Sequence, residues 1–389
     1  MGAQAQPAPA APVNPWALEY GTFSLDSRLR YESVDDAGFA DTATALTWRN
    51  RLGFRSKAWH GFSVYVEAED VRALIDDYPV SAAAGNTRPV ITDPEGAEWN
   101  QFNLVWDSGS GVKATLGRQR LVFDNHRFFG NVGWRQNEQT FDAAAVNWTL
   151  PNNGVLDVVW LDGVHRIFGR SHPNPALREW DLNAPLLHYT QPMKYGSLSA
   201  YAYFVENEDL VAQSARTMGV RFAGKVPTDT AWQPVGTIEY ARQSDWADAV
   251  SRDDQDYRLL ELGLAGPKGH VVKAGWEVLG GDGRFAFQTP FATLHAFNGW
   301  ADRFLTTPVN GLDDRYVSWT GPCGKVNCAL AWHEYESDRL AVNLGREFNA
   351  SVGYAFTPRV SALVKYARFS DADALADVDK FWVGIEYKR

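Results

Sequence analysis

The chain has 389 residues, with Lys and Arg at 37 against Asp and Glu at 47, a net charge of -10 and 13% aromatic side chains. The acidic balance argues against a nucleic-acid partner. A mean hydropathy of -0.33, with no apolar run of the roughly 18 residues a spanning helix needs, excludes a helical membrane protein.

The first stretch, Met1–Pro15, is rich in Ala and Pro, uncharged, and lacks the apolar centre of a signal peptide. Residues 1–20 are therefore read as a flexible periplasmic leader, and residues 21–389 as one body, because no later linker or shift in composition divides them. From residue 21 onward apolar and polar side chains alternate. Strands are predicted over 21–33, 44–57, 61–71, 98–107, 112–121, 139–150, 154–162, 184–191 and 196–206 in the first half. The second half adds 214–223, 233–243, 256–265, 270–279, 314–321, 325–336, 341–356, 359–369 and 379–388. Side chains of a strand point alternately to opposite faces, so nearly every segment has one apolar and one polar face.

In a soluble sandwich the polar face would be outside; in an outer-membrane barrel it lines a lumen. The connections decide between them. Short ones rich in Gly, Pro and Asn, such as Ser108–Gly111, Pro151–Asn153, Gly266–Gly269 and Thr357–Pro358, alternate with long ones such as 72–97, 122–138, 163–183 and 280–313. Short periplasmic turns, long extracellular loops and an even strand count are the pattern of a transmembrane antiparallel β-barrel. The fold expected is all-β, a single barrel of about 18 strands in the bacterial outer membrane.

The strongest inward signal is basic. Arg28 and Arg30 face Arg49, Arg51 and Arg55 across the first hairpin, and like charges opposite one another repel. They form either a ladder with Asp26, Glu32, Glu67 and Glu69 or a cationic lane for an anionic solute, and the two are compatible. Arg118 and Arg120 fall on the apolar parity of their strand, which suggests a bulge at Gly117 or a place at the rim. Asp124–Asp142 is too long for a turn. It is expected to fold into the lumen, where Arg127, Trp134, Arg135, Gln136, Asn137 and Glu138 would narrow the pore. Phe285–Leu305 is apolar without clean alternation and is read as a second constriction loop, with Phe291, His295, Phe297 and Trp300 for gating or sugar stacking. Cys323 and Cys328 flank a predicted periplasmic turn, where an oxidising compartment permits a disulfide.

Enzyme signals are weak. Glu67 and Glu69 share a face but such spacing is common in charged strands, the histidines are scattered, and no hydrolase, metal or phosphate-loop motif occurs. No cofactor or metal is expected.

LGRQ at Leu116–Gln119, GNVGWRQNEQTFDAA at Gly130–Ala144, FQTPFATLHAFNGWADRFL at Phe287–Leu305 and GLDDRYV at Gly311–Val317 resemble the alginate export family of outer-membrane porins. The resemblance runs over most of Gly21 to Arg389. It implies a monomeric 18-stranded barrel passing an anionic polysaccharide such as alginate by passive diffusion. The family's arginine-lined pore would be carried by Arg28, Arg30, Arg49, Arg51, Arg118 and Arg135. The expected partners are the lipid bilayer, lipopolysaccharide and an anionic saccharide or small anion. The rival readings are a general or differently selective nutrient porin, and a surface adhesin or barrel enzyme acting on polysaccharide.

Overall fold

The computed structural model describes residues 16–389; Met1–Pro15, most of the expected leader, lie outside them. Eighteen antiparallel strands form the barrel. The first nine are Gly21–Asp36, Ala43–Ser56, Phe62–Asp77, Gly96–Asp107, Val112–Gln119, Thr140–Thr149, Val155–His165, Glu179–Met193 and Gly196–Asn207. The last nine are Ala215–Lys225, Gln233–Asp245, Gln255–Ala265, Val271–Leu279, Leu312–Cys323, Val326–Glu336, Asn343–Ala355, Val360–Ser370 and Val378–Lys388. Each pairs with the next, and the eighteenth pairs with the first from Val378 opposite Asp36 to Lys388 opposite Asp26, so the sheet has no free edge. Ahead of the barrel, the two-residue strand Ala17–Leu18 folds back on Gly21 and Thr22.

Burial is inverted relative to a soluble protein. Leu52, Leu104, Leu116, Ile238 and Leu262 on the outer face are between 41% and 62% exposed, while Arg49, Glu69 and Glu347 on the inner face are 2% exposed or less. Contiguous apolar exposure around a closed barrel is what a hydrocarbon layer covers. Among the described residues no helix is long and apolar enough to cross a membrane, so the strands do the crossing.

Two of the long connections prove shorter than expected, because strands three and eight run further toward the outside, to Asp77 and from Glu179, whereas the one expected at 122–138 spans 120–139. Ladder irregularities cluster in the extracellular halves, at Leu46/Thr47, Glu67/Ala68, Asp142/Ala143 and Tyr335/Glu336. There each extra residue turns a side chain from one face to the other.

The two cysteines lie on the fourteenth and fifteenth strands. Both thiols are free: the register sets Cys323 opposite Val326 and Cys328 opposite Gly321. The two are therefore diagonal neighbours rather than a facing pair, with their thiols in hydrogen-bond contact.

Candidate functional site

Two walls of different chemistry face each other across the lumen. Strands eight to twelve present Leu186, Tyr201, Tyr203, Tyr257 and Leu259, all buried. Strands one to three, seventeen and eighteen present Arg28, Arg30, Arg49, Arg51, Glu69, Lys365 and Lys380. Loops 120–139 and 280–311 fill the space between them. Phe128 and Phe129 of the first loop and Phe287 of the second pack on the tyrosine wall, and Phe291 of the second loop stacks on Phe129 at 5.3 Å. The loops also touch through backbone. Gly130 N–H donates to the Phe291 carbonyl at 2.9 Å, and a Cβ at Gly130 would sit 2.3 Å from Thr293 Oγ1, so only glycine permits this approach.

The basic wall holds the first loop from the other side. Arg28 donates to Gln136 Oε1 at 2.9 Å and to the carbonyls of Gly133 at 3.0 Å and Arg135 at 2.5 Å. Arg51 reaches the Gln136 carbonyl at 3.1 Å and Glu138 at 3.3 Å, and also pairs with Glu69. Arg30 donates to the Trp134 carbonyl and to Asp93. Arg49 pairs with Asp26 and Glu386. Arg135 pairs with Glu32 at 3.1 Å and Asp302 at 3.2 Å, which joins the two loops. Arg120 turns inward just past its strand to Glu67 and Glu138.

The ladder reading and the lane reading thus apply to different arginines. Arg30, Arg49, Arg51 and Arg135 are neutralised by carboxylates. Arg28 meets only neutral acceptors, with no carboxylate in ion-pair range among the described residues.

Three expected pore residues sit elsewhere. Arg118 shares the outward parity of Leu104 and Leu116 and forks onto Asp142, at 3.0 Å through both Nε and Nη2. The register at Gly117 is unbroken, so no inward flip rescues it. Arg55 is exposed at the periplasmic end, over the Tyr65 ring at 4.4 Å. Arg127 is buried against Glu277 at 2.9 Å and Asn298 at 3.0 Å, where it clamps the two loops to the wall. Gln136 and Asn137 are also buried. The Gln136 side chain donates to Thr47 Oγ1 at 2.8 Å, and Asn137 donates to the Pro94 carbonyl at 3.4 Å. They hold the loop rather than line a passage.

Two cavities remain. The extracellular one, of about 640 Å³, is lined by Phe129, Trp180, Tyr203, Phe291 and the guanidinium groups of Arg135, Arg166 and Arg252. The periplasmic one, of about 660 Å³, is lined by Arg28, Arg30, Arg49, Arg51, Arg120 and Lys388 against Asp26, Glu138 and Glu386. Between them Trp134 stacks on His295 at 4.5 Å; His295 lines the first cavity and Trp134 the second.

This partition is anchored by Lys365, whose ammonium lies 4.2 Å from the Trp134 ring centre, 3.8 Å from that of Trp300 and 5.6 Å from that of Trp382. Lys365 Nζ is 2.6 Å from His295 Nε2. An ammonium only donates, so Nε2 accepts and Nδ1 carries the proton, which it gives to Asp302 Oδ1 at 2.7 Å. Burial, reinforced by the Lys365 ammonium, pushes the His295 pKa down to about 3 against the pull of Asp302.

A pH dependence follows. With loop 280–311 docked, His295 stays neutral; undocked, it regains an ordinary value of 6.5. Docking is therefore strongest above that value and weakens by about tenfold per pH unit below it, levelling off near the docked value. Asp302, held well below its ordinary value by His295, Lys380 and Arg135 despite burial, adds a loss of the same sign at lower pH. Open probability in a planar bilayer should rise as the pH falls below about 6.5, and His295→Gln should flatten that rise.

Reading the sequence missed several residues of this site. Asp93 comes from the connection 78–95, which looked purely extracellular. Arg166 directly follows strand seven. It lies over the Trp180 ring at 3.9 Å, donates to the Pro290 carbonyl at 3.1 Å, and has no carboxylate in ion-pair range among the described residues. Its Nε is buried without a partner, and burial holds its pKa down to about 10.

A closed 18-stranded barrel with a lipid-facing exterior and a loop-constricted, charged lumen is an outer-membrane channel of the porin type. Solved structures share that fold: Pseudomonas aeruginosa OccK9 (OpdG) at 14% identity and TM-score 0.74, covering 96% of this chain and 99% of that one; Acinetobacter baumannii OccAB4 at 11% and 0.73, covering 97% and 100%; and P. aeruginosa OpdK with vanillate at 14% and 0.70, covering 94% and 98%. No curated protein matches the sequence. The alginate export family model matches residues 19–291, and the chain belongs to that family. Both that family and the structural neighbours are channels rather than enzymes.

Proposed function

We propose that this outer-membrane channel passes small organic anions bearing a carboxylate, sugar acids included, by passive diffusion. The observation that carries this is that each chamber holds a guanidinium with no carboxylate in ion-pair range among the described residues, Arg166 in the outer chamber and Arg28 in the inner one. A guanidinium buried without an anion is costly, and a passing carboxylate supplies the missing charge through two parallel hydrogen bonds. Two stations separated by a partition also suit transport, because binding that is weak and repeated lets the solute leave again.

The size of the chambers favours monomers or short oligomers. Membership of the alginate export family supports a second reading, a polyuronate threaded end to end, which requires both loops to leave the lumen. OpdK, solved with vanillate, adds small aromatic acids to the candidates.

The test is ion selectivity in a planar bilayer under a salt gradient, followed by titration with glucuronate, vanillate and alginate oligomers. Anion-selective current blocked by the monomers supports the proposal; block by oligomers alone supports the polymer reading; current indifferent to all of them leaves a general porin. Arg166→Gln should weaken block from the extracellular side by about tenfold, the value of one charge-assisted hydrogen bond, and leave block from the periplasmic side unchanged.

A further inference from the structure

Within the described strands, the charged side chains on the outward parity lie toward the extracellular rim. Arg216, Arg242, Arg258, Arg315, Arg346 and Arg368 come from strands ten, eleven, twelve, fourteen, sixteen and seventeen, and Arg72 and Arg118 from strands three and five. The register places all eight on the lipid-facing side, because their cross-strand neighbours there are lipid-facing side chains. Arg72 is opposite Trp48, Arg118 opposite Phe102, Arg216 opposite Phe204, Arg258 opposite Tyr240, Arg315 opposite Trp276 and Arg368 opposite Phe348. Arg242 is opposite Met218, and Arg346 lies 5.6 Å from the Trp332 ring centre. All eight stand in the extracellular halves of their strands.

The periplasmic halves differ. Their strand cations Arg55, Lys113, Lys225 and Lys388 take the lumenal parity, and outward positions hold aromatic residues such as Phe54, Trp106, Trp148 and Trp319.

We infer that this arginine belt binds the phosphate groups of the lipopolysaccharide that forms the outer leaflet. Three observations carry it. First, arginine on a lipid-facing surface is unfavourable except where the headgroups are ionic, and the belt occurs at one interface alone. Second, most of these side chains are about half exposed, and neighbouring carboxylates occupy only part of each fork. Arg258 meets Asp256 at 3.5 Å through Nη2 alone and Arg216 has no carboxylate in ion-pair range among the described residues, while Arg315 is held more fully, by Asp313 through Nε at 3.1 Å and Nη2 at 3.2 Å and by Glu336 at 3.3 Å. A guanidinium has five donors, so the pairs orient the forks and leave donors facing the leaflet. Third, the belt spreads over eight strands, densest from the tenth to the seventeenth and continued on the third and fifth, which is wider than the single patch a contact with a second copy of the chain would occupy.

The experiment uses the detergent-solubilised barrel with bisphosphorylated lipid A as probe, retained lipid being counted by native mass spectrometry. The comparisons are dephosphorylated lipid A, phosphatidylglycerol, and the triple variant R258Q/R315Q/R346Q. Expected are retention of bisphosphorylated lipid A, loss of retention by about tenfold or more on dephosphorylation and in the triple variant, and unchanged single-channel conductance, since none of the three faces the lumen. Should the triple variant fail to fold, the phosphate comparison on the wild-type chain decides by itself. Equal retention of the dephosphorylated lipid, undiminished binding by a folded triple variant, equal retention of phosphatidylglycerol, or a variant whose only change is the loss of an oligomer would each overturn the inference.

Discussion

Asp93→Ala is expected to open the channel. The Asp93 carboxylate is fully buried, accepts from Arg30 and from the Gln136 N–H at 2.7 Å, and lies 3.9 Å from Arg135. It therefore joins three elements: the connection 78–95, the basic wall and the loop 120–139. Burial alone would raise its pKa, but Arg30, Arg135 and the Gln136 N–H together hold it below the ordinary value, so the joint is ionic at neutral pH. Removing one partner of a buried ionic cluster costs about 3–5 kcal/mol. At 1.4 kcal/mol per decade, that reduces docking of the loop by about a hundredfold or more. The barrel itself should survive, because its ladder closes without the loop. Asp93→Asn keeps an acceptor for the Gln136 N–H and should fall between wild type and alanine. The measurement is single-channel conductance and open probability; an alanine variant that gates like wild type would show that the loop is held by its aromatic contacts instead.

How much of this was legible in the sequence depends on range. The strands were legible because period-two alternation and turn chemistry are local properties, and all eighteen predicted segments are strands. The basic wall was legible for the same reason, since parity fixes which of Arg28, Arg30, Arg49 and Arg51 share a face. The two lumenal loops could be suspected from length and from apolar residues without a strand period, as in Phe285–Leu305. What alternation cannot supply is which distant charge meets which. Asp93 with Arg30, Asp302 with Arg135 and Lys380, and Lys365 with His295 are separated by tens to hundreds of residues, and nothing in their neighbourhoods announces a partner. Arg118 shows the converse. Its parity already pointed outward, and the lumenal role came only from the resemblance. Arg166 was invisible because it lies one residue beyond a strand end and its role comes from Trp180, on the next strand.

The asymmetry between the walls gives the constriction its character. On the tyrosine wall the loops are held mainly by apolar contact, which is non-directional and insensitive to charge, with the Arg127–Glu277 pair as the ionic clamp beside it. On the basic wall they are held by ion pairs and by hydrogen bonds to backbone carbonyls, which a solute carboxylate can compete for. On the proposed function, a carboxylate arriving at the inner chamber would compete with Gly133 and Arg135 for the Arg28 fork, coupling binding and loop release through one side chain.

Arg28→Glu should therefore change selectivity more than any other single substitution in the lumen. The residue lines the periplasmic chamber, has no carboxylate in ion-pair range among the described residues although Glu386 stands opposite it in the register, and holds the loop through neutral acceptors. For an ion passing at about 8 Å in an effective dielectric of about 20–40, one charge is worth about 1–2 kcal/mol. Reversing it shifts the balance between anions and cations by about tenfold or more. Arg49→Glu should do less, since Asp26 and Glu386 already offset that charge. Arg28→Lys separates the two duties of the residue, because the charge remains while the fork that grips Gln136, Gly133 and Arg135 is lost. The lysine variant should keep anion selectivity and gate more noisily; the glutamate variant should lose both. Reversal potentials under a salt gradient read the first effect and open-channel noise the second. A glutamate variant with the wild-type reversal potential would leave Arg28 as a loop anchor only, and would move the selectivity of the channel to the outer chamber and Arg166.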